Sequence, residues 1–391
     1  MATSLELLRA SPSLTVVCLD GRGAKPGGAT GAGQGYLWLS HRPVGTPAWR
    51  LAQRGRELWP HWLGGEGSDI GWRAAGSLLL ATSEAERGEL AHRALSLQEH
   101  GVAARTLSPA ALQSLEPGLL AREGPADDPA ALYVPADAQI SGQAAATTLR
   151  AACEAAGAGR FRILETTAER LLEGDGAAPA VALADASVLA AGRGVVLAAG
   201  AWSSQLLGPA WRGALEPRRG LMLELPWPEG SAPLRHGCME LGYAAHYAPG
   251  GTASATPESL ITFTATTSAR GTLFLGSSRE FCGFDCGTDR DRIADAILRR
   301  ARAFLPRLPA GSWAEAAHRP DHALHLGLRP WSRRGQPHIG PVPGHPGVFL
   351  AAGHEGSGLL LAPATAELAA DHVLERAPRD EALAHAFLPG V

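Results

Sequence analysis

The tail of the chain, residues 327–374, restricts the fold more than any other stretch. An apolar strand over 348–352 runs straight into Gly353, Gly356 and Gly358. These glycines open a helix of about four turns with apolar positions at Leu359, Leu360, Ala364, Leu368 and Val373. Ahead of the strand lies a segment read as turn-rich, with Arg329 at its head and Pro330, Gly335, Pro337 and Gly340 behind it. A strand that passes through glycines into a helix makes an anion-binding arrangement. The glycines let a ligand reach the backbone, and the helix N-terminus offers N–H groups and partial positive charge. Ordinary helix capping is the competing reading, since many strand-to-helix turns carry glycine.

Composition narrows what such a chain does. Its 391 residues are 45% hydrophobic and 19% charged with net charge −3, which suits an enzyme of two domains. That balance gives no footprint for nucleic acid, and no apolar run is long enough for a transmembrane helix. The five cysteines, Cys18, Cys153, Cys238, Cys282 and Cys286, have no regular spacing. They point to reduced thiols and an intracellular setting, cytoplasmic or organellar, and the Cys282/Cys286 spacing is too loose for a metal or redox site. No metal ligands are assigned: His318, His322 and His325 are the one candidate set, and Pro320 breaks the helix that would align them.

Upstream, residues 2–10 read as a helix and 14–19 as an apolar strand ended by Asp20. A strand closed by an acid is the second half of a dinucleotide-binding unit, where the carboxylate accepts from the adenosine ribose hydroxyls; a plain Asp20-Gly21 turn is the alternative. Helices are predicted over 49–63, 84–100, 140–157 and 289–304, with another from Ser108. Alternating segments at 221–225, 259–267 and 271–275 predict an antiparallel sheet. The expectation is an α/β chain, α+β overall. Residues 1–60, 136–215 and 321–391 would form one domain, and 61–135 with 216–320 the other.

Several strings together resemble the FAD-dependent D-amino-acid oxidase superfamily, in the branch of glycine oxidase, sarcosine oxidase and D-amino-acid dehydrogenase. In the tail they are Gly-Leu-Arg-Pro, Gly-Gln-Pro-His-Ile-Gly and Ala-Gly-His-Glu-Gly-Ser-Gly; earlier come Gly-Val-Val-Leu-Ala-Ala-Gly-Ala-Trp-Ser and Pro-Arg-Arg-Gly. The resemblance implies a Rossmann-like FAD-binding domain with an antiparallel-sheet substrate domain. It implies FAD held non-covalently, as no cysteine follows Cys286. Cofactor contacts are expected from Asp20, Thr30, Gly31, Gly33, Gln34, Gly35, Ala199, Gly200, Trp202, Gly353, His354, Glu355, Gly356, Ser357 and Gly358. Arg329 is expected to grip a substrate carboxylate through its planar fork, with Tyr243 or Tyr247 assisting. Arg279 would face the substrate or form a salt-bridged strand end. His354 would shape the loop, and Glu355 would alter substrate choice.

The implied reaction is oxidation of a small amino acid or N-methyl amino acid by hydride transfer to flavin, the partner being a small carboxylate-bearing amine. A 2-hydroxy-acid flavoenzyme and a non-catalytic remnant are the alternatives. One departure stands out: the family's opening strand and G-x-G-x-x-G loop are not seen, and Met1 falls roughly where the following helix begins. Either the reading frame is incomplete at its start or the pyrophosphate cradle has been lost. A sheet without its central parallel strand would expose an unpaired edge, which favours the first.

Overall fold

The computed structural model describes residues 1–21, 28–62, 70–120, 128–172, 178–247, 261–284 and 289–390, apart from the side chains of 245–247. Residues 22–27, Leu63, Ser259 and Cys286 therefore lie outside the described residues. The first half of the chain contributes α1 (Ala2–Ala10), β1 (Val16–Leu19), α2 (Pro47–Trp62), β2 (Ser77–Leu80), α3 (Glu84–Glu99), β3 (Arg105–Leu107), β4 (Ala131–Val134), α4 (Gly142–Gly157) and β5 (Phe161–Leu164). The second contributes β6 (Val195–Leu197), β7 (Leu215–Leu225), β8 (Gly237–Glu240), β9 (Ile261–Thr267), β10 (Leu273–Ser278), α5 (Arg290–Arg302), β11 (Ala323–Ser332), β12 (His338–Pro341), β13 (Val348–Ala352) and α6 (Gly358–Val373).

Eight strands form one sheet in the order β11-β7-β10-β9-β8-β2-β4-β3. All neighbours are antiparallel except β8 and β2. The other parallel pairs lie outside this sheet: β1 with β5, and β6 with β13, which carries β12 on its other side. The mixed α/β class is as expected. The segment read as turn-rich turns only over residues 333–337; before that, residues 323–332 are a ten-residue strand with Arg329 and Pro330 inside it. Proline lacks the N–H of a central strand, but β11 is the sheet's edge, where that loss is tolerated.

One core lies between this sheet and α5. The helix buries Ile293, Ala294, Ile297, Leu298 and Ala301, a single stripe at helical spacing, and Phe263 stacks on Phe304 with ring centroids 4.2 Å apart. A larger core packs α1, α2, α4 and α6 together. Within α6, Pro363 cannot donate to the carbonyl of Leu359. The indole N–H of Trp59 on α2 donates there instead, at 2.9 Å. The two helices meet closely one turn away, where a Cβ on Gly55 would lie 2.1 Å from the carbonyl oxygen of Leu360. Gly55→Ala is therefore expected to push α2 off α6 and cost about 2 kcal/mol. Urea unfolding checks this, and an unchanged midpoint would contradict the packing.

Candidate functional site

The site forms where the glycine loop between β13 and α6 faces β7, β10 and β11. Glu355 adopts φ +48°, a left-handed conformation that costs a non-glycine residue about 1 kcal/mol. It turns its carboxylate toward the sheet. A second loop closes the site from the side of residues 38–42. Its anchor is Asp137, fully buried, which accepts from the amides of Leu39 (2.8 Å) and Ser40 (3.3 Å) and from the Ser77 hydroxyl (2.7 Å). Arg42, presented by that loop, donates through Nη2 to Ser357 Oγ at 2.6 Å. Asp137 thereby reaches the glycine loop through one turn and one arginine.

Three guanidiniums surround Glu355. Arg218 and Arg279 are 1% and 0% exposed, and each places a nitrogen 3.7 Å from Glu355 Oε1. Arg329 is the register partner of Arg218 across the β7–β11 ladder. Opposite residues of an antiparallel pair share a face, so the two side chains lie on one side of the sheet. Arg329 crosses Gly220 so closely that a Cβ there would meet its guanidinium at 2.5 Å, and its Nη1 donates to Ser278 O at 2.8 Å. Arg279 lies over the Tyr243 ring at 3.8 Å, and Arg218 over Phe281 at 5.1 Å. Burial alone would raise the Glu355 carboxyl; Arg329, Arg279 and Arg218 outweigh it and hold it at about 2. The neighbouring imidazoles are kept neutral. Burial lowers His354 to about 4, and burial followed by Arg42, Arg93 and Arg279 pushes His41 well below its usual value.

These shifts set the acid side of the stability curve. A histidine depressed in the fold resists protonation there, so its stabilisation is complete above about pH 6.5 and is lost as pH falls toward 4. His338, lowered to about 4 by burial, Arg334 and His354, acts the same way. Glu355 contributes above its unfolded value of about 4.3, and about 3 kcal/mol disappears as pH falls to about 2. Thermal unfolding against pH is expected to show both stages. Glu355→Gln should flatten only the lower one.

The sequence-derived residues divide into groups. Arg329, Tyr243, Glu355 and Ser357 meet at this site, whereas the Tyr247 side chain lies outside the described residues. His354 supports the loop, its Nε2 lying 3.0 Å from Thr365 Oγ1 within α6. Asp20 follows β1, its amide donating to Leu164 O at 3.0 Å. Thr30 and Gly31 lie in a short helix, Gly28–Ala32. Gln34 donates its side-chain amide to Phe274 O on β10 at 2.9 Å, and a Cβ on Gly35 would strike Ile140 O at 1.7 Å, so both have packing reasons for their identity. Ala199, Gly200 and Trp202 form a tight turn after β6. Arg218, His41, Arg42 and Asp137 were missed. The signal for Arg218 was an arginine pair, Arg218-Arg219, inside an otherwise apolar strand. His322 and His325 lie beside Asp321 and Glu224, and no group of three metal ligands occurs among the described residues.

The residues present fit FAD at several points. No side chain caps the N-terminus of α6, which runs for 16 residues behind the glycine loop. The buried Ser203 hydroxyl has no hydrogen-bond partner, and it follows Gly200, at φ +58°, where a Cβ would meet nothing within 4 Å. A ligand with hydroxyls and phosphates suits both features.

Comparison with known proteins agrees. Residues 1–372 match the DAO family, described as FAD dependent oxidoreductase. Glycine oxidase of Pseudomonas aeruginosa is 34% identical over 192 residues, a match that spans 47% of this chain and only 42% of that relative's length. Glycine oxidase of Geobacillus kaustophilus is 28% identical over 91% of this chain and 86% of its own. A crystal structure of glycine oxidase from Geobacillus kaustophilus superposes with a TM-score of 0.76 at 23% identity, covering 100% of this chain and 96% of that one. Iminodiacetate oxidase from Chelativorans sp. BNC1 gives 0.75 at 22%, covering 99% and 96%. These two likenesses show a common fold.

Proposed function

The chain belongs to the FAD-dependent oxidoreductase family, and from that premise we propose that it oxidises a small amino acid or N-methyl amino acid at the carbon bearing the amine. The observation that carries this reading is the position of Arg329, stretched across Gly220 beside the glycine loop. A planar guanidinium held by a backbone carbonyl on one side is set to take a carboxylate on the other. Bound FAD supplies the two-electron acceptor.

The protein's own groups orient the substrate. Arg329 fixes its carboxylate, with Tyr243 and the Arg279 that stacks on it beside the same site. Three guanidiniums around one carboxylate leave local positive charge, which disfavours an ammonium and keeps the substrate amine in the neutral form that can lose hydride. The resulting imine is split by water. On the cofactor side, Asp20 would take ribose hydroxyls, and the turns at 30–35, 199–202 and 353–358 would pass their backbone along the diphosphate and ring. A carboxylate clamp would equally serve a 2-hydroxy acid, but the relatives' names, glycine oxidase and iminodiacetate oxidase, favour the amine. Product analysis tests this: glycine should yield ammonia and glyoxylate in equal amounts. Oxidation of glycolate with no turnover of any amino acid would overturn it.

A further inference from the structure

We propose that a cleft at the far end of α6 from the glycine loop binds a small alkylammonium ion through Asp371. The cleft measures about 320 Å³ and lies between α2, α6 and residues 379–383. From α6 it receives Ala364, Glu367, Leu368 and Asp371, which recur at helical spacing on one face. Asp371 lies about 20 Å along the helix axis from Gly358, so this cleft is separate from the site described above. Its carboxylate is poorly placed on two counts. Asp371 is 4% exposed, and its Oδ2 has no hydrogen-bond partner. It also stands in the last turn of a 16-residue helix, where the helix dipole disfavours negative charge. Burying a carboxylate in that condition is costly unless a cation reaches it.

The arginines of the cleft do not relieve it. Arg50 pairs with Asp380 at 2.5 Å, and Arg54 donates twice to Glu367, at 2.9 Å each. Arg379 is divided between Glu6, at 3.0 Å, and Glu367, and it attracts Asp371 only at longer range. Of the acids lining the cleft, Glu57, Glu367 and Asp380 each have an arginine within 4.0 Å; Asp371 is the exception. The ligand's chemistry follows from the walls. No group of three metal ligands occurs among the described residues, so one carboxylate suits an ammonium, which can be held by a single acceptor, better than a metal ion. Leu51, Leu368 and Leu383 line the same cleft and provide an apolar surface for an alkyl stem.

The test titrates n-butylamine, n-butanol and butyrate into the FAD-reconstituted protein by calorimetry. Butylammonium is expected to bind at least tenfold more tightly than butanol or butyrate. Asp371→Asn keeps the shape of the side chain and removes its charge, so it should weaken butylammonium binding at least tenfold. The same variant should melt no lower than the wild type without ligand, because no partner is lost. Arg329→Met, which alters the substrate site, should leave butylammonium binding unchanged. Equal binding of butanol and butylammonium, or an affinity unaltered in Asp371→Asn, would overturn the proposal. So would a lower melting temperature for Asp371→Asn, which would mean that the carboxylate serves the fold, or tighter binding of butyrate, which would assign the cleft to its arginines.

Discussion

Arg329→Met is expected to lower kcat/KM for amino-acid substrates by two to three orders of magnitude, about 3–4 kcal/mol of lost transition-state binding. In the proposed role the guanidinium would hold the substrate's carboxylate and so the direction in which its C–H points, which is why the loss should appear in kcat as well as KM. Arg329→Lys should recover only part, because an ammonium cannot reproduce the two parallel bonds of the fork. Gly220→Ala provides an independent check. Its added methyl would lie 2.5 Å from the guanidinium and must displace it, so activity should fall although the arginine remains. Near wild-type kinetics in both Arg329→Met and Gly220→Ala would remove Arg329 from the reaction.

Asp137→Ala is expected to cost about 3–5 kcal/mol of folding stability, read from urea unfolding, since each buried donor left without its acceptor costs about 1–3 kcal/mol. The amides of Leu39 and Ser40 and the hydroxyl of Ser77 lose their acceptor together, and Arg56, 3.6 Å away, loses its counter-charge. Burial raises the Asp137 carboxyl, and these same partners oppose that rise. Asp137→Asn should cost less, because one carbonyl oxygen survives. Activity should also fall, since the loop that loses its anchor presents Arg42 to Ser357. Wild-type stability for Asp137→Ala would contradict the burial and the bonding assigned to this carboxylate.

Much of this was legible in the sequence. The step from β13 through Gly353 to α6 was readable because it changes hydrophobic period from two to 3.6 across glycines. The stripe on α5 was readable for the same reason. Arg329 was found through the string around it, although its strand was not. Pro330 reads locally as a turn, and only the position of β11 at a sheet edge allows a proline there. Arg218, Arg42 and Asp137 were hidden for a different reason. Each is separated by many residues from what it touches: Arg42 from Ser357 by 315 positions, Asp137 from Leu39 by 98. A buried charge gives no periodic signal, and its meaning appears only when the chain brings its partners together.

The central claim is that this protein passes electrons from a carboxylate-bearing amine to FAD. Adding glycine, sarcosine or iminodiacetate to the FAD-loaded protein without oxygen, while recording its visible absorption, tests that claim most directly. Bleaching of the flavin bands by at least one of these amines is the expected result. Bound flavin whose bands persist with every one of them, at millimolar concentrations, would contradict the account.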